Sequence, residues 1–146
     1  MTRDIETRED IDALMRAFYA KALADEEIGY IFTDVARLDL DAHLPIIGDF
    51  WESLLLGRDT YRRHGRNPLQ IHGQLNLRTP LENRHFGRWL EIFEATVDEM
   101  FAGPRADFAK TRAASVANRM KNFIRRVPDL ELTRRETFAD PADRRE

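Results

Sequence analysis

The chain has 146 residues, 42% of them hydrophobic, and a formal net charge of -3. This size fits one domain, and no apolar run reaches the roughly 18 residues that a membrane-spanning helix needs. The absence of cysteine excludes disulfides, thiolate metal sites and cysteine nucleophiles. Because the charges are interspersed and the N-terminus lacks the pattern of a secretory signal, we expect a cytoplasmic protein that binds neither nucleic acid nor a membrane.

Apolar residues recur with helical spacing nearly everywhere in the sequence, and no strand pattern interrupts them. Thr7 followed three residues later by Asp10 predicts the start of a first helix, and Gly29 predicts its end. The apolar face of this helix consists of Ile11, Leu14, Met15, Phe18 and Ala22, with Tyr19 at its edge.

A second helix is predicted from about Asp41 to Leu56, and Gly57 closes it. Pro45 removes a backbone donor from this helix and is tolerable only near the first turn. The apolar stripe consists of Leu40, Ile47, Phe50, Trp51, Leu54 and Leu55, with His43 on the same face.

Proline and glycine divide the rest of the chain into three more predicted helices and a tail. Asn67-Pro68 opens a helix of a turn or two that ends near Gly73, and Thr79-Pro80-Leu81-Glu82 has the pattern of a capping box that opens a longer one. Gly103-Pro104 breaks the chain before a last helix. The stripe before this break holds Phe86, Trp89, Leu90, Phe93, Val97, Met100 and Phe101, and the stripe after it holds Phe108, Val116, Met120, Phe123, Ile124 and Val127.

Pro128 stops the last helix, and the residues beyond it are charged and poor in aromatic side chains. We therefore expect one folded domain over residues 1–128 and a mobile, disordered tail over residues 129–146.

The histidines and serines give little support to two common kinds of active site. No pair among His43, His64, His72 and His85 has the spacing of a zinc site, and neither serine lies in a nucleophile turn. Tyr19, His43 and Trp89 instead place hydrogen-bond donors on otherwise apolar helix faces. Together with His72 at the end of a short helix, these residues suit a flat apolar cofactor held by one axial imidazole.

Each of these residues also has an ordinary structural interpretation. His72 can be a surface histidine at a helix end, and Trp89 can be a core aromatic residue. His43 can be a half-buried helix histidine and Tyr19 a core-edge tyrosine. For His85, in the first turn of its helix, a solvated or capping role is favoured over ligation.

Five segments together resemble the third, or P, group of the truncated haemoglobins, over roughly residues 7 to 127. The double-glycine motifs of the other truncated groups are missing, and Tyr30 stands where the family often has proline. The segments are Ala17-Phe18-Tyr19, His43-Leu44-Pro45-Ile46-Ile47-Gly48-Asp49-Phe50-Trp51, Leu54-Leu55-Leu56-Gly57, Asn67-Pro68-Leu69-Gln70-Ile71-His72 and His85-Phe86-Gly87-Arg88-Trp89-Leu90-Glu91-Ile92-Phe93.

The resemblance implies an all-α fold, a two-over-two helical sandwich around haem b (iron protoporphyrin IX). It implies that His72 is the proximal iron ligand and that Tyr19, His43 and Trp89 line the distal side, where gas binds. Residues expected to touch the cofactor are Phe32, Ile47, Phe50 and Phe93 along its walls, and Arg63 and Arg66 at its carboxylates.

The function that this resemblance implies is reversible binding of oxygen, nitric oxide or carbon monoxide. One alternative keeps the haem and makes the chain an enzyme, either a nitric oxide dioxygenase or a peroxidase-like protein, with a reductase as partner. A second alternative, of a different class, is a haem-free helical interaction module.

Overall fold

The computed structural model describes residues 2–59 and 81–126, with side chains described as far as residue 122. Within these residues lie four α-helices, which we label α1 (Arg8–Ala24), α2 (Leu40–Leu56), α3 (Asn83–Met100) and α4 (Pro104–Arg126), and a π-helical turn at Ile31–Val35. The all-α prediction is confirmed. None of these helices is long and apolar enough to cross a membrane. The predicted helix from Pro68 to Gly73 and the predicted tail lie outside the described residues.

Helix α1 starts where predicted but ends earlier. The Thr7 hydroxyl accepts a hydrogen bond from the Asp10 backbone N–H at 3.1 Å, and the Asp10 carboxylate accepts one from the Thr7 N–H at 3.0 Å. The predicted end at Gly29 is wrong, because Asp25 takes an extended conformation directly after Ala24. The Asp25 carboxylate then accepts two backbone N–H groups of the following turn, which stabilise the turn in place of more helix.

The bounds of α2 agree closely with the prediction. Asp39 caps its first turn, and Gly57 ends it in the left-handed conformation, with φ of 71°. Pro45 is the sixth residue of the helix, so the expectation that it is tolerated only near the first turn was too strict. Its carbonyl oxygen accepts a hydrogen bond from Arg8 at 3.1 Å, an interaction that ties the proline-containing turn to α1.

Helix α3 begins at Asn83, and the predicted start around Thr79-Pro80 is wrong, because Leu81 and Glu82 are not helical. Glu82 is the N-cap residue, and its backbone N–H donates to Nδ1 of His85 at 2.9 Å. A capping interaction therefore exists, but it lies three residues later than the sequence pattern indicated.

The predicted apolar stripe of α4 is wrong at Phe108, which is 46% exposed. The buried face of the helix consists of small residues instead, whereas Val116 and Met120 are only half-buried. Small side chains allow neighbouring helices to approach closely, and α3 packs along this face. The buried residues are Ala106, Ala109, Ala113 and Ala117.

The N-terminal segment fastens the start of α4. Asp4 accepts hydrogen bonds from the backbone N–H groups of Arg105 at 3.0 Å and Ala106 at 2.8 Å. Gly103 precedes the helix with φ of 143°, and a Cβ atom there would lie 2.5 Å from Cγ of Asp4. Burial opposes ionisation of Asp4, but the backbone donors outweigh it and hold the pKa of this carboxyl below its ordinary value.

Candidate functional site

Two of the predicted site residues meet where α1 crosses α2. The Tyr19 hydroxyl and Nε2 of His43 are 2.9 Å apart, within hydrogen-bond distance. Their rings are perpendicular, with centroids 5.4 Å apart. Tyr19 is only 6% exposed, and His43 is half-buried. A polar pair thus lies within a mostly apolar wall.

Aromatic contacts connect this pair to the predicted residues of α3. Trp89 stacks on Phe93 with ring centroids 5.6 Å apart and an interplanar angle of 15°. Phe18 packs its ring edge-on against both Trp89, at 5.8 Å, and Tyr19, at 5.0 Å. Three helices therefore contribute to one aromatic cluster. Whether the Trp89 indole faces a ligand stays a prediction.

The predicted wall residues lie around the same cluster. Phe32, in the π-helical turn, packs edge-on against Tyr19 with centroids 5.9 Å apart. Phe50 contacts Trp51, and Trp51 stacks on Phe93 at 4.9 Å. Ile47 lies one helical turn after His43 on α2. Ring contacts thus bring Phe32, Phe50 and Phe93 to the cluster that contains Tyr19 and Trp89.

The exposure of these residues fits a flat apolar ligand. Trp51 is buried in the core at 2% exposure, whereas the face of α2 that carries His43 is only half-buried. Half-buried apolar side chains keep surface that a flat apolar group would cover favourably. The residues of this kind around the cluster are Phe32, Leu44, Ile47, Phe50, Leu54, Trp89 and Leu90.

The residues predicted to hold the iron and the carboxylates are His72, Arg63 and Arg66, and all three lie outside the described residues. Their roles stay predictions. Within residues 2–59 and 81–126, no three histidine, aspartate or glutamate side chains form a group that could hold a metal ion.

His85 has the predicted capping role, and the solvated alternative is wrong, because its side chain is buried at 4% exposure. Its Nδ1 accepts the Glu82 N–H, so the ring hydrogen of the neutral form lies on Nε2, 3.3 Å from the Tyr30 hydroxyl. Burial holds the pKa of His85 below its ordinary value, and the neighbouring Arg84 lowers it further. The two hydrogen bonds account for both nitrogens without a metal ion.

Two curated proteins and one solved structure are similar to this chain, whereas no family model matches it. The group 3 truncated hemoglobin ctb of Campylobacter jejuni is 28% identical over 120 residues, covering 80% of this chain and 90% of that protein. A group 1 truncated hemoglobin of Tetrahymena pyriformis is 33% identical over 88 residues, 60% of this chain and 65% of that protein.

The crystal structure of a group III truncated hemoglobin from Campylobacter jejuni superposes with a TM-score of 0.72 at 28% identity. The match covers 85% of this chain and 95% of that one. The fold is therefore the all-α fold of a truncated globin. Sequence and structure are both similar to those of the third group of truncated hemoglobins.

Proposed function

We propose that the chain binds haem b and holds a small diatomic gas (oxygen, nitric oxide or carbon monoxide) beside Tyr19 and His43. The observation that carries the proposal is the hydrogen-bonded pair of these residues in an apolar, half-buried wall. Haem with one axial imidazole supplies reversible binding of such gases when its iron is ferrous. We propose His72 as that imidazole and Arg63 and Arg66 as partners of the haem carboxylates.

Tyr19 and His43 act as a pair because one hydrogen lies between the phenol oxygen and Nε2. If His43 donates this hydrogen, the hydroxyl hydrogen of Tyr19 can point to a ligand. If Tyr19 donates it instead, the phenol oxygen can accept a hydrogen bond from a ligand but has no hydrogen left to donate to it. The first arrangement stabilises a ligand that carries partial negative charge on its outer atom, as bound oxygen does.

Trp89 is the proposed second donor, from its indole N–H. Its ring is fixed by stacking on Phe93 and by the edge of Phe18, so little rotamer freedom is lost when a ligand binds. Bound haem would cover the half-buried apolar residues around Trp89 and exclude water there, which would strengthen each hydrogen bond to the ligand.

Several donors around one ligand favour retention over fast release. For this reason we rank ligand chemistry or sensing above simple oxygen transport. A nitric oxide dioxygenase or peroxidase-like activity, with a reductase as partner, is the second candidate function.

The test is an absorption spectrum of the purified full-length chain in its ferric, ferrous and carbon monoxide forms. We expect a Soret band that His72→Ala removes or makes dependent on added imidazole. His64→Ala and His85→Ala are the matched controls and should keep the wild-type spectrum. An unchanged spectrum in His72→Ala would refute the ligand assignment, and a colourless wild type would favour the haem-free interaction module.

A further inference from the structure

Arg8 links the first turn of α1 to the middle of α2. Its Nη1 donates to Asp49 at 2.6 Å and to Glu52 at 2.9 Å, and its Nη2 donates to the Pro45 carbonyl at 3.1 Å. Both carboxylates are buried, at 1% and 3% exposure. A positive side chain at a helix N-terminus opposes the helix dipole. The contacts to α2 are what make arginine favourable at this position.

Gly48 shows how closely the guanidinium approaches α2. A Cβ atom on this residue would lie 2.6 Å from Nη2 of Arg8 and 2.9 Å from Oδ1 of Asp12. Glycine weakens a helix interior compared with alanine. At this position its small size allows Arg8 to lie directly over the helix backbone, together with Asp12, which accepts a hydrogen bond from Nε of Arg8 at 2.9 Å.

The turn of α2 that carries His43 lies directly before Pro45. Pro45 has no N–H, so the Asp41 carbonyl lacks the usual hydrogen bond from four residues later. The turn before Pro45 is thus joined to the rest of α2 by fewer backbone hydrogen bonds. A cleft of about 130 Å³, lined partly by Met15, Leu44 and Pro45, leaves space at this crossing for the turn to shift.

We propose that Arg8 is a positioning residue, which keeps Nε2 of His43 within hydrogen-bond distance of Tyr19 by holding α2 at Pro45, Asp49 and Glu52. Its contacts begin only two residues after His43, on the side of α2 that faces α1. The effect on gas release rests on the function proposed above, whereas the effect on the Tyr19–His43 hydrogen bond does not.

The first test uses Gly48→Ala, which adds one methyl group against the guanidinium and keeps every charge. Gly87→Ala is the matched control, since it is also inside a helix and a Cβ atom there meets nothing within 4 Å. The readouts are the ¹⁵N chemical shift of His43 Nε2 in the full-length chain and the rate of oxygen release. We expect Gly48→Ala to shift the resonance and speed release by about twofold to tenfold, the loss of one hydrogen bond. Gly87→Ala should change neither.

The second test removes the guanidinium with Arg8→Met. Its control is Arg3→Met, which breaks a similar arginine–aspartate pair, with Asp10, away from α2. A shift of the His43 resonance in either test variant, absent from its control, supports the proposal. An unchanged His43 resonance in both Gly48→Ala and Arg8→Met would overturn the proposal. If Arg8→Met does not fold, the result for Gly48→Ala alone decides. If the wild-type chain proves to be haem-free, the proposed function fails, and the resonance still decides the role of Arg8.

Discussion

Tyr19→Phe removes one oxygen atom from the candidate site and keeps the ring that packs against Phe18 and Phe32. The lost group is the hydroxyl 2.9 Å from Nε2 of His43, in a residue that is only 6% exposed. A net hydrogen bond contributes about 0.5–1.5 kcal/mol, which corresponds to roughly a twofold to twelvefold change in a rate or equilibrium constant. Water has little access to this position, so it does not readily replace the lost partner.

The assay is stopped-flow oxygen dissociation from the ferrous protein. Tyr19→Phe should release oxygen faster than wild type by about that factor, and Trp89→Phe should also release it faster, but by less. Carbon monoxide is a weaker hydrogen-bond acceptor when bound, so its release should change little in either variant. Phe32→Leu alters a wall residue that contacts Tyr19 without removing a donor, so it measures how much of the change comes from packing alone. Oxygen rates within twofold of wild type in both donor variants would refute the placement of these side chains beside the ligand.

Three further predictions concern stability. Because burial lowers the pKa of His85 from 6.5, the folded state binds the imidazole proton less well than the unfolded state does, so the protein should lose stability as the pH drops below about 6.5. His85→Gln keeps an acceptor for the Glu82 N–H, so this variant should lose less stability than wild type between pH 7 and pH 5 in urea unfolding. Equal losses in the two proteins would contradict this explanation. Asp4→Ala should lower the free energy of unfolding by about 0.5–2 kcal/mol because it removes the cap of α4, whereas Asp4→Asn should lower it less. The melting temperatures of the two variants measure this difference, and an unchanged melting temperature in Asp4→Ala would show that the cap is not stabilising. Truncation after Pro128 should leave the haem spectrum and the melting temperature nearly unchanged, and a large drop in either would show that the tail docks on the core.

Local signals were sufficient where one capping residue had no competitor nearby. Thr7 with Asp10 sets the start of α1, and Gly57 ends α2 because its left-handed conformation is costly for other residues. The pattern of apolar residues also placed Tyr19 and His43 on faces that meet. For these parts of the fold, the sequence alone led to the correct structure.

Other positions carry two competing signals, and the more obvious signal does not determine the structure. Asp25 ends α1 through its own carboxylate, ahead of the more obvious Gly29. The start of α3 follows from His85, a residue that is rarely considered in a capping box, and not from Thr79. In α4, large apolar residues suggested the buried face, but the helix packs through alanines and leaves Phe108 exposed. Close helix packing depends on small residues, which a search for large apolar ones overlooks.

The contacts of Arg8 could not be predicted from the sequence at all. Its partners Asp49 and Glu52 lie 41 and 44 residues away, and no local pattern relates them. Gly48 lies in the middle of a predicted helix, where a glycine is consistent with a group that approaches the backbone closely. Such a glycine becomes informative only when the element that packs against it is known.

The arrangement of the proposed donors bears on the choice between oxygen carriage and ligand chemistry as the proposed function. Tyr19, His43 and Trp89 come from three different helices, yet Phe18 contacts two of them and fixes their relative positions. Because the Tyr19–His43 hydrogen bond exists before any ligand arrives, a polar ligand gains stabilisation without the cost of ordering these side chains. An apolar ligand gains none of it. The proposed site should therefore distinguish ligands by polarity, mainly because polar ligands are released slowly. Slow release suits a protein that retains oxygen for reaction better than one that delivers it.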